Sequence, residues 1–407
     1  MSLISASNKE ITIEQGEIDF PDRYGNRALG TVNNLKALLE AYGITVQYNV
    51  IKKDIDITIP RQTFTCDNYQ NASLAMIKSY ANLHRMPIGQ IDNFIIAVAE
   101  RNLINPVINW IESKPWDGVD RLPDLLATVQ AENEEAKNKF IYRWMMGACA
   151  AAYSDDGIDA CGVLVFQGDE GLGKTWWLRK LCPQNLGLVR AGHALDPHDK
   201  DSVHQAVGHW IIELGELDGI MRRADREALK NFITRDYDIM RLPYAAKDSR
   251  FPRRTVLFAS VNPKWYLADA GINRRYWTVA CTAINSYHDI DMQQLWAQLA
   301  LDYKAGESYK MTSEEFALMK GINEEHQTLS AVKDMLYCTY DWAALTPYNT
   351  RWLTATEILR EMDFKSPSKG EITECALEVR KLNGNEGKVR GGSRLLACPP
   401  KISKGLF

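Results

Sequence analysis

The most specific chemistry in the chain lies in eight residues: Gly168, Asp169, Glu170, Gly171, Leu172, Gly173, Lys174 and Thr175. They satisfy the pattern G-x-x-x-x-G-K-[ST], in which each fixed position has a physical task. Glycine lets the backbone wrap closely around an anion, so that several N–H groups converge on it. The Lys174 ammonium suits the β- and γ-phosphates of a nucleoside triphosphate, and the Thr175 hydroxyl suits Mg²⁺. The residues that follow, TWWLRKLC, read as a helix whose N-terminal dipole favours a bound anion. ATP and Mg²⁺ are the ligands this loop predicts.

A phosphate loop needs an acid at the end of a second strand to hold the metal, and a carboxylate to polarise the attacking water. The segment HWIIELGELD offers Glu213 for the metal shell and Glu216 for water activation, with Asp218 as a spare. How the two glutamates divide these roles stays open. Downstream, TVLFASVN ends in Asn262. Its amide suits a sensor of the γ-phosphate or of the attacking water; an Asn before Pro otherwise serves as a turn residue. GINRRYWTV then presents Arg274 and Arg275. Either suits a finger that reaches the γ-phosphate held by a neighbouring subunit. The plainer alternative is a surface salt bridge.

Regular elements must hold these residues together. GVLVFQ (162–167), directly before the loop, is too short an apolar run for a helix and is typical of a buried parallel strand. Similar strands are expected at HWIIEL (209–214) and TVLFASV (255–261), with YWTVAC (276–281) a weaker fourth. Helical stretches between them imply a parallel sheet with helices on its faces. The expected fold over residues 141–305 is therefore an α/β P-loop NTPase core. Residues 1–140 read as a mixed, mainly helical domain. It opens with a polar arm over 1–25, then a helix over Leu35–Tyr42 closed by Gly43. Strands ITVQYNV and DIDITI come next, then three or four helical stretches from Asn71 to about Glu100. After the charged AENEEAKNK, FIYRWMMGACAAAY reads as a buried helix. Residues 306–350 read as a helical linker. Residues 351–407 carry two helices and a Gly-rich hairpin, the order of a winged helix-turn-helix.

The chain has 407 residues, enough for two or three domains. A net charge of −4 excludes a uniformly basic coat protein for nucleic acid, but a local patch decides DNA binding. Between Arg222 and Arg254, ten Lys/Arg meet five Asp/Glu, so this stretch is net positive. It includes Lys247 and Arg250, in a segment that reads as a hairpin with Lys247 near its tip. The C-terminal segment 351–407 is also net positive. There Arg380 and Lys381 on the second helix, and Lys388, Arg390 and Arg394 on the wing, are expected to meet DNA phosphates. The eight cysteines are scattered without C-x-x-C, and the seven histidines show no H-x-x-x-H, so reduced thiols and no structural zinc are expected. No apolar run reaches the 18 or so residues of a membrane span, and the N-terminus lacks a signal-peptide pattern. A cytoplasmic protein without a membrane partner is the expectation.

Taken in order, GDEGLGKT, the acids of WIIELGELD, LPYAAKDSRFPRRTVLFASVN and GINRRYWTV resemble the virulence-associated protein E (VapE) family. NPVINWIESKPWDGVDRLPDLL upstream shares the likeness, which covers roughly residues 100–285. The resemblance implies an AAA+-like ATPase core similar to superfamily 3 helicases and to the helicase part of primase–helicases. Such cores assemble as hexameric rings. It further implies ATP-driven translocation on single-stranded or forked DNA during replication of a phage or mobile element in a bacterial cell. A primase or polymerase is the implied kind of partner. Family roles fall on Lys174, Thr175, Glu213, Glu216, Asn262 and the Arg274/Arg275 pair, with Lys247 as the hairpin lysine that contacts DNA. Two departures stand out: the acids are spaced E-x-x-E rather than adjacent, and no primase acid cluster lies upstream. An ATP-dependent initiator without unwinding activity, or a nucleotide-dependent scaffold with no DNA role, are the competing expectations.

Overall fold

The computed structural model describes residues 18–65, 67–215, 217, 223–241, 247–267, 273–327 and 331–402, with the side chains of residues 223–226 outside the description. The chain divides into two units, one made of residues 1–262 with 274–319, the other of 263–273 with 320–407.

A six-stranded sheet organises the larger unit. Its strands are β1 (Val129–Ala131), β2 (Val163–Gln167), β3 (Val189–His193), β4 (Ile211–Leu214), β5 (Val256–Val261) and β6 (Tyr276–Ile284). Their spatial order is β1-β6-β2-β5-β4-β3. Only β1 runs antiparallel, against β6; every other pair is parallel. The strand before the glycine-rich loop, β2, thus lies inside the sheet between β5 and β6. Strands β2, β4 and β5 are buried almost throughout, as apolar strands covered on both faces must be.

Helices that bear on this sheet or its loops include α1 (Glu134–Tyr153), α2 (Lys174–Lys180), α3 (Lys200–Val207) and α4 (Met292–Lys304). Helix α1 starts earlier than its apolar run suggests. The Asn133 side chain caps it by accepting from Ala136 N–H, and Glu134 and Glu135 sit favourably in its first turn. Buried indoles tie helices to their neighbours by donating to specific oxygens. Trp144 Nε1 donates to Leu257 O of β5 at 2.7 Å, Trp210 Nε1 to Ala148 O of α1 at 2.8 Å, and Trp296 Nε1 to Leu181 O at 2.8 Å.

The N-terminal part of this unit has its own apolar cluster, including Leu35, Leu38, Ile77, Ile91 and Ile95. Helix Val32–Ala41 is capped by Thr31, and Gly43 follows in the left-handed region at φ 62°. Residues 71–100 hold two helices, Tyr69–Leu83 and Ile91–Ala99, rather than three or four. The stretch from Tyr69 stays helical without a break to Leu83, four residues before Pro87. In the described part of the N-terminal arm, buried Asn34 holds the chain by donating to Asp22 O and Leu29 O.

The smaller unit contains helices Ala331–Thr339, Ala355–Glu361 and Lys369–Leu382. They pack with an antiparallel sheet of Arg351–Leu353, Ser393–Cys398 and Gly387–Arg390, in that spatial order. Reciprocal capping boxes start the last two helices, Thr354 with Glu357 and Ser368 with Glu371. Leu336, Ile358, Leu359, Val379 and Leu396 form its core. Among the described residues no helix is long and apolar enough to cross a membrane.

Candidate active site

The loop leaves β2 at Gln167 and enters α2 at Lys174, and its glycines are sterically required. Gly168, Gly171 and Gly173 have φ of 153°, 85° and 89°. A Cβ on Gly168 would lie 2.6 Å from Cys281 O and 2.8 Å from Leu172 Cδ1, and one on Gly173 would lie 2.9 Å from Ser286 Oγ. The loop therefore packs against the carboxyl end of β6 and the residues just after it.

Lys174 is buried beneath this loop. Its Nζ donates to Gly168 O at 2.6 Å, Asp169 O at 2.8 Å and Asn262 Oδ1 at 2.9 Å. Burial pushes its pKa below the ordinary lysine value, opposed by Cys281, Asp169, Glu170 and Glu213. Thr175, next along α2, donates its hydroxyl to Glu213 Oε1 at 2.7 Å. Ser260 Oγ donates to the same oxygen at 2.7 Å, and Gly192 N–H donates to Glu213 Oε2 at 3.1 Å. Glu213 is only 2% exposed, and among the described residues no cationic side chain forms an ion pair with it.

These contacts join the carboxyl ends of three adjacent strands, β2, β5 and β4. Ligands of open α/β sheets bind at this edge, where neighbouring connections diverge. Of the residues singled out from sequence, Lys174, Thr175, Glu213 and Asn262 thus meet in one place. Ser260, Gly192 and Ser286 join them without having been anticipated. Ser260 had a faint signal: it interrupts the apolar run that follows Thr255 in TVLFASV, two positions before Asn262, hence on the same strand face. Glu216 and Asp218 lie outside the described residues.

Arg274 and Arg275 lie elsewhere. They precede Tyr276, which registers with Val163 at the start of β2, whereas Ala280 registers with Gln167 at the loop end. Four residues of strand, about 13 Å, separate the pair from the carboxyl edge. Arg274 is exposed; Arg275 is half-buried, with its Nε enclosed and without a hydrogen-bond partner among the described residues.

The basic stretch needs a correction. Tyr237–Met240 and Ser249–Pro252 do pair as an antiparallel hairpin, and Lys247 and Arg250 are exposed on it. Its tip, residues 242–246, lies outside the described residues. Arg250 stacks its guanidinium 4.1 Å from the Tyr237 ring. Arg253, however, is fully buried, 2.8 Å from Asp238 and over the Phe232 ring. Arg254 is half-buried and donates to Asp155 O. These two cations are internal structure rather than surface charge, so the positive surface is smaller than the charge count suggests.

In the smaller unit Arg380 is half-buried, and Lys381 is exposed and paired with Glu378 at 2.7 Å. Lys388 lies 3.9 Å from the Trp352 ring centre, and Arg390 and Arg394 are exposed.

Among curated proteins no match was found. Solved structures similar to the chain include the A-form apo structure of the NrS-1 C-terminal region. It is 12% identical, covers 90% of this chain and 99% of its own, and has a TM-score of 0.47. A second A-form apo structure, of NrS-1 residues 305–718, is 12% identical, covers 89% and 98%, and has a TM-score of 0.44. The family profile of the virulence-associated protein E-like domain matches residues 111–328. That span is more than half of the chain and includes the loop, the acids, Asn262 and the arginine pair, so the chain belongs to the virulence-associated protein E-like family.

Proposed function

We propose that this chain is a P-loop ATPase that drives translocation on DNA, and strand unwinding, in the replication of a phage or related mobile element. One observation carries the reading. Lys174 and Thr175 lie at the carboxyl edge of a parallel sheet, within hydrogen-bond reach of Asn262 and Glu213. The order of the parallel strands, with the loop strand between the fourth and fifth in sequence, supports a P-loop fold.

The residues fit a magnesium–triphosphate complex. Glu213 is a buried carboxylate without a cationic partner among the described residues, and it shares one oxygen between the Thr175 and Ser260 hydroxyls. Buried carboxylates of this kind pair with a cation or bind metal. Thr175 and Glu213 would hold Mg²⁺, which supplies charge neutralisation at the phosphates when bound. Lys174 would exchange its bonds to the Gly168 and Asp169 carbonyls for phosphate oxygens. Asn262, already fixed by Lys174, would orient the terminal phosphate or the attacking water, and Glu216 is assigned to water activation. Arg274 and Arg275 stand at the opposite strand ends from their own loop, so they suit the loop of a neighbouring subunit in a ring, which we take to be a hexamer. Lys247 and Arg250 on the exposed hairpin are assigned to DNA.

The C-terminal unit favours a second reading. Its helix, strand, helix, helix, hairpin order supports a winged helix, and a winged helix would suit an ATP-dependent initiator that binds DNA without unwinding it. Arg380, Lys381, Lys388 and Arg390 would then serve origin binding rather than translocation.

The test is ATP hydrolysis with and without single-stranded and forked DNA, beside strand unwinding and solution mass. The motor reading expects DNA-stimulated hydrolysis and unwinding, both lost in Lys174→Ala. Protection of a duplex site without unwinding would select the initiator. Hydrolysis indifferent to Lys174→Ala would reject both.

A further inference from the structure

Beside the first turns of α2 lies a cleft of about 550 Å³, in the size range of small-molecule sites. Trp110, Trp176, Arg179, Lys180, His288 and Asp289 are among its lining residues. None of them entered the account of the phosphate loop, yet the cleft begins within a few residues of it. Gly173 abuts Ser286, which sets the segment from Ser286 onward alongside α2. Trp176 follows Thr175 directly.

Two side chains in the cleft are unusual for a protein surface. Trp176 is 55% exposed, a large indole face left open to solvent beside the loop, with the Arg179 guanidinium 5.4 Å from its ring centre. His288 is only 7% exposed, and among the described residues neither ring nitrogen has a hydrogen-bond partner. A buried polar ring with both nitrogens unmet is rare in folded proteins and calls for a partner; both nitrogens are also closed to solvent, so a ligand in the cleft meets one once the ring turns toward the space it lines. Burial, helped by Lys180 and opposed by Asp289, pushes the His288 pKa below the usual imidazole range. The neutral ring then offers one donor and one acceptor. An open aromatic face and a donor–acceptor pair are what a planar heterocycle with an amino group and ring nitrogens requires.

We propose that this cleft is the nucleobase subsite of the nucleotide whose phosphates sit on the Gly168–Thr175 loop, with Trp176 stacking on the base and His288 hydrogen-bonding to its edge. The proposal rests on the phosphate-loop reading and adds to it the site that distinguishes a nucleotide from a bare polyphosphate.

Calorimetric titration with ATP and with inorganic tripolyphosphate tests it, using the full chain, Trp176→Ala, His288→Leu and Lys174→Ala. Trp176 is exposed, so its truncation leaves the core intact; a thermal melt checks His288→Leu. Trp176→Ala and His288→Leu are expected to weaken ATP at least tenfold while leaving tripolyphosphate unchanged, and Trp176→Phe is expected to recover most of the loss. Lys174→Ala is expected to weaken both ligands. Unchanged ATP affinity in Trp176→Ala and His288→Leu, or equal losses for ATP and tripolyphosphate, overturns the base subsite and leaves the loop standing. A wild-type chain that binds neither ligand, or Lys174→Ala that binds both normally, removes the phosphate-loop reading and the subsite with it.

Discussion

Replacing Glu213 by glutamine separates metal binding from folding, because the two effects work on different terms. In the wild type the carboxylate is 2% exposed and accepts three hydrogen bonds, from Thr175, Ser260 and Gly192. Hydrogen bonds to a charged group contribute about 1.5–3 kcal/mol each. Against them stands a burial penalty of several kcal/mol for an ion without an ion-paired countercharge among the described residues. The two nearly cancel. In Glu213→Gln the amide oxygen can still accept from both hydroxyls. The amide nitrogen replaces Oε2, however, and meets the Gly192 N–H donor to donor, which costs about 1–3 kcal/mol. Relief of the buried charge offsets part of that cost. The nucleotide-free variant is therefore expected within about 2 kcal/mol of wild type, a melting shift of only a few degrees for a unit of this size.

Ligand binding should respond differently. ATP with Mg²⁺ at a hundredfold its Kd stabilises a folded protein by about 2.7 kcal/mol through mass action. Thermal melts with ATP, with and without Mg²⁺, read out the metal-dependent part of that gain. Wild type is expected to gain stability on adding Mg²⁺ to the ATP-bound protein; Glu213→Gln is expected to gain almost nothing, while matching wild type in ATP with chelator. A variant that keeps the full Mg²⁺ increment refutes the metal role. One that also loses ATP binding in chelator shows Glu213 acting through Thr175 on the loop itself.

Three further expectations follow from local geometry. Gly168→Ala drives a Cβ to 2.6 Å from Cys281 O, a backbone atom, at a φ of 153°, whereas Gly171→Ala meets open space and bears only the strain of its positive φ. Gly168→Ala should cost about 2–5 kcal/mol in chemical denaturation and Gly171→Ala about 1–2; the reverse ranking would contradict the loop conformation. Lys53 is buried, donates to Val207 O at 2.7 Å, and has its pKa pushed down to about 7, chiefly by burial and then by Arg254. The unfolded chain holds that proton up to the ordinary lysine value, so stability should rise with pH from about 7 to 10 and level off above, and Lys53→Met should flatten the rise; urea midpoints at pH 7 and 9 measure it, and an unchanged slope refutes it. Finally, Lys174→Ala chains mixed with Arg274→Ala/Arg275→Ala chains should recover part of the ATPase activity that neither has alone. A mixture as inactive as its components would refute an arginine supplied by a neighbour.

Local chemistry made much of this legible in the sequence, and the illegible parts are those set by distant partners. The conformation of the loop could be read because glycine spacing encodes a backbone shape directly. Strands β2, β4 and β5 could be read because burial on both faces demands continuous apolar residues. Strand β3, with the sequence VRAGH, escaped notice: it is an edge strand, half exposed, and carries Arg190 and His193. β1 is three residues long and appears only as a partner of β6. YWTVAC looked weak because Thr278 interrupts it, yet Thr278 is 1% exposed and the nine-residue β6 runs beside the loop strand. Arg253 counted as surface charge because nothing nearby in sequence reveals that Asp238, across the hairpin, neutralises it in the interior.

The same distinction bears on how the site is divided. Parallel pairing fixes the direction of β6, so residues before it must emerge at the sheet edge opposite the loop. Lys174, Thr175, Glu213 and Asn262 follow or end strands, or begin the helix after one, and all gather at the carboxyl edge. Arg274 and Arg275 precede a strand, and no rotamer spans the roughly 13 Å of sheet between them and that edge. Arg275 also keeps a buried guanidinium nitrogen without a hydrogen-bond partner among the described residues. If either arginine acts on a triphosphate, that triphosphate must therefore belong to another copy of the chain. On that premise alone, strand direction calls for a second subunit before any interface is considered.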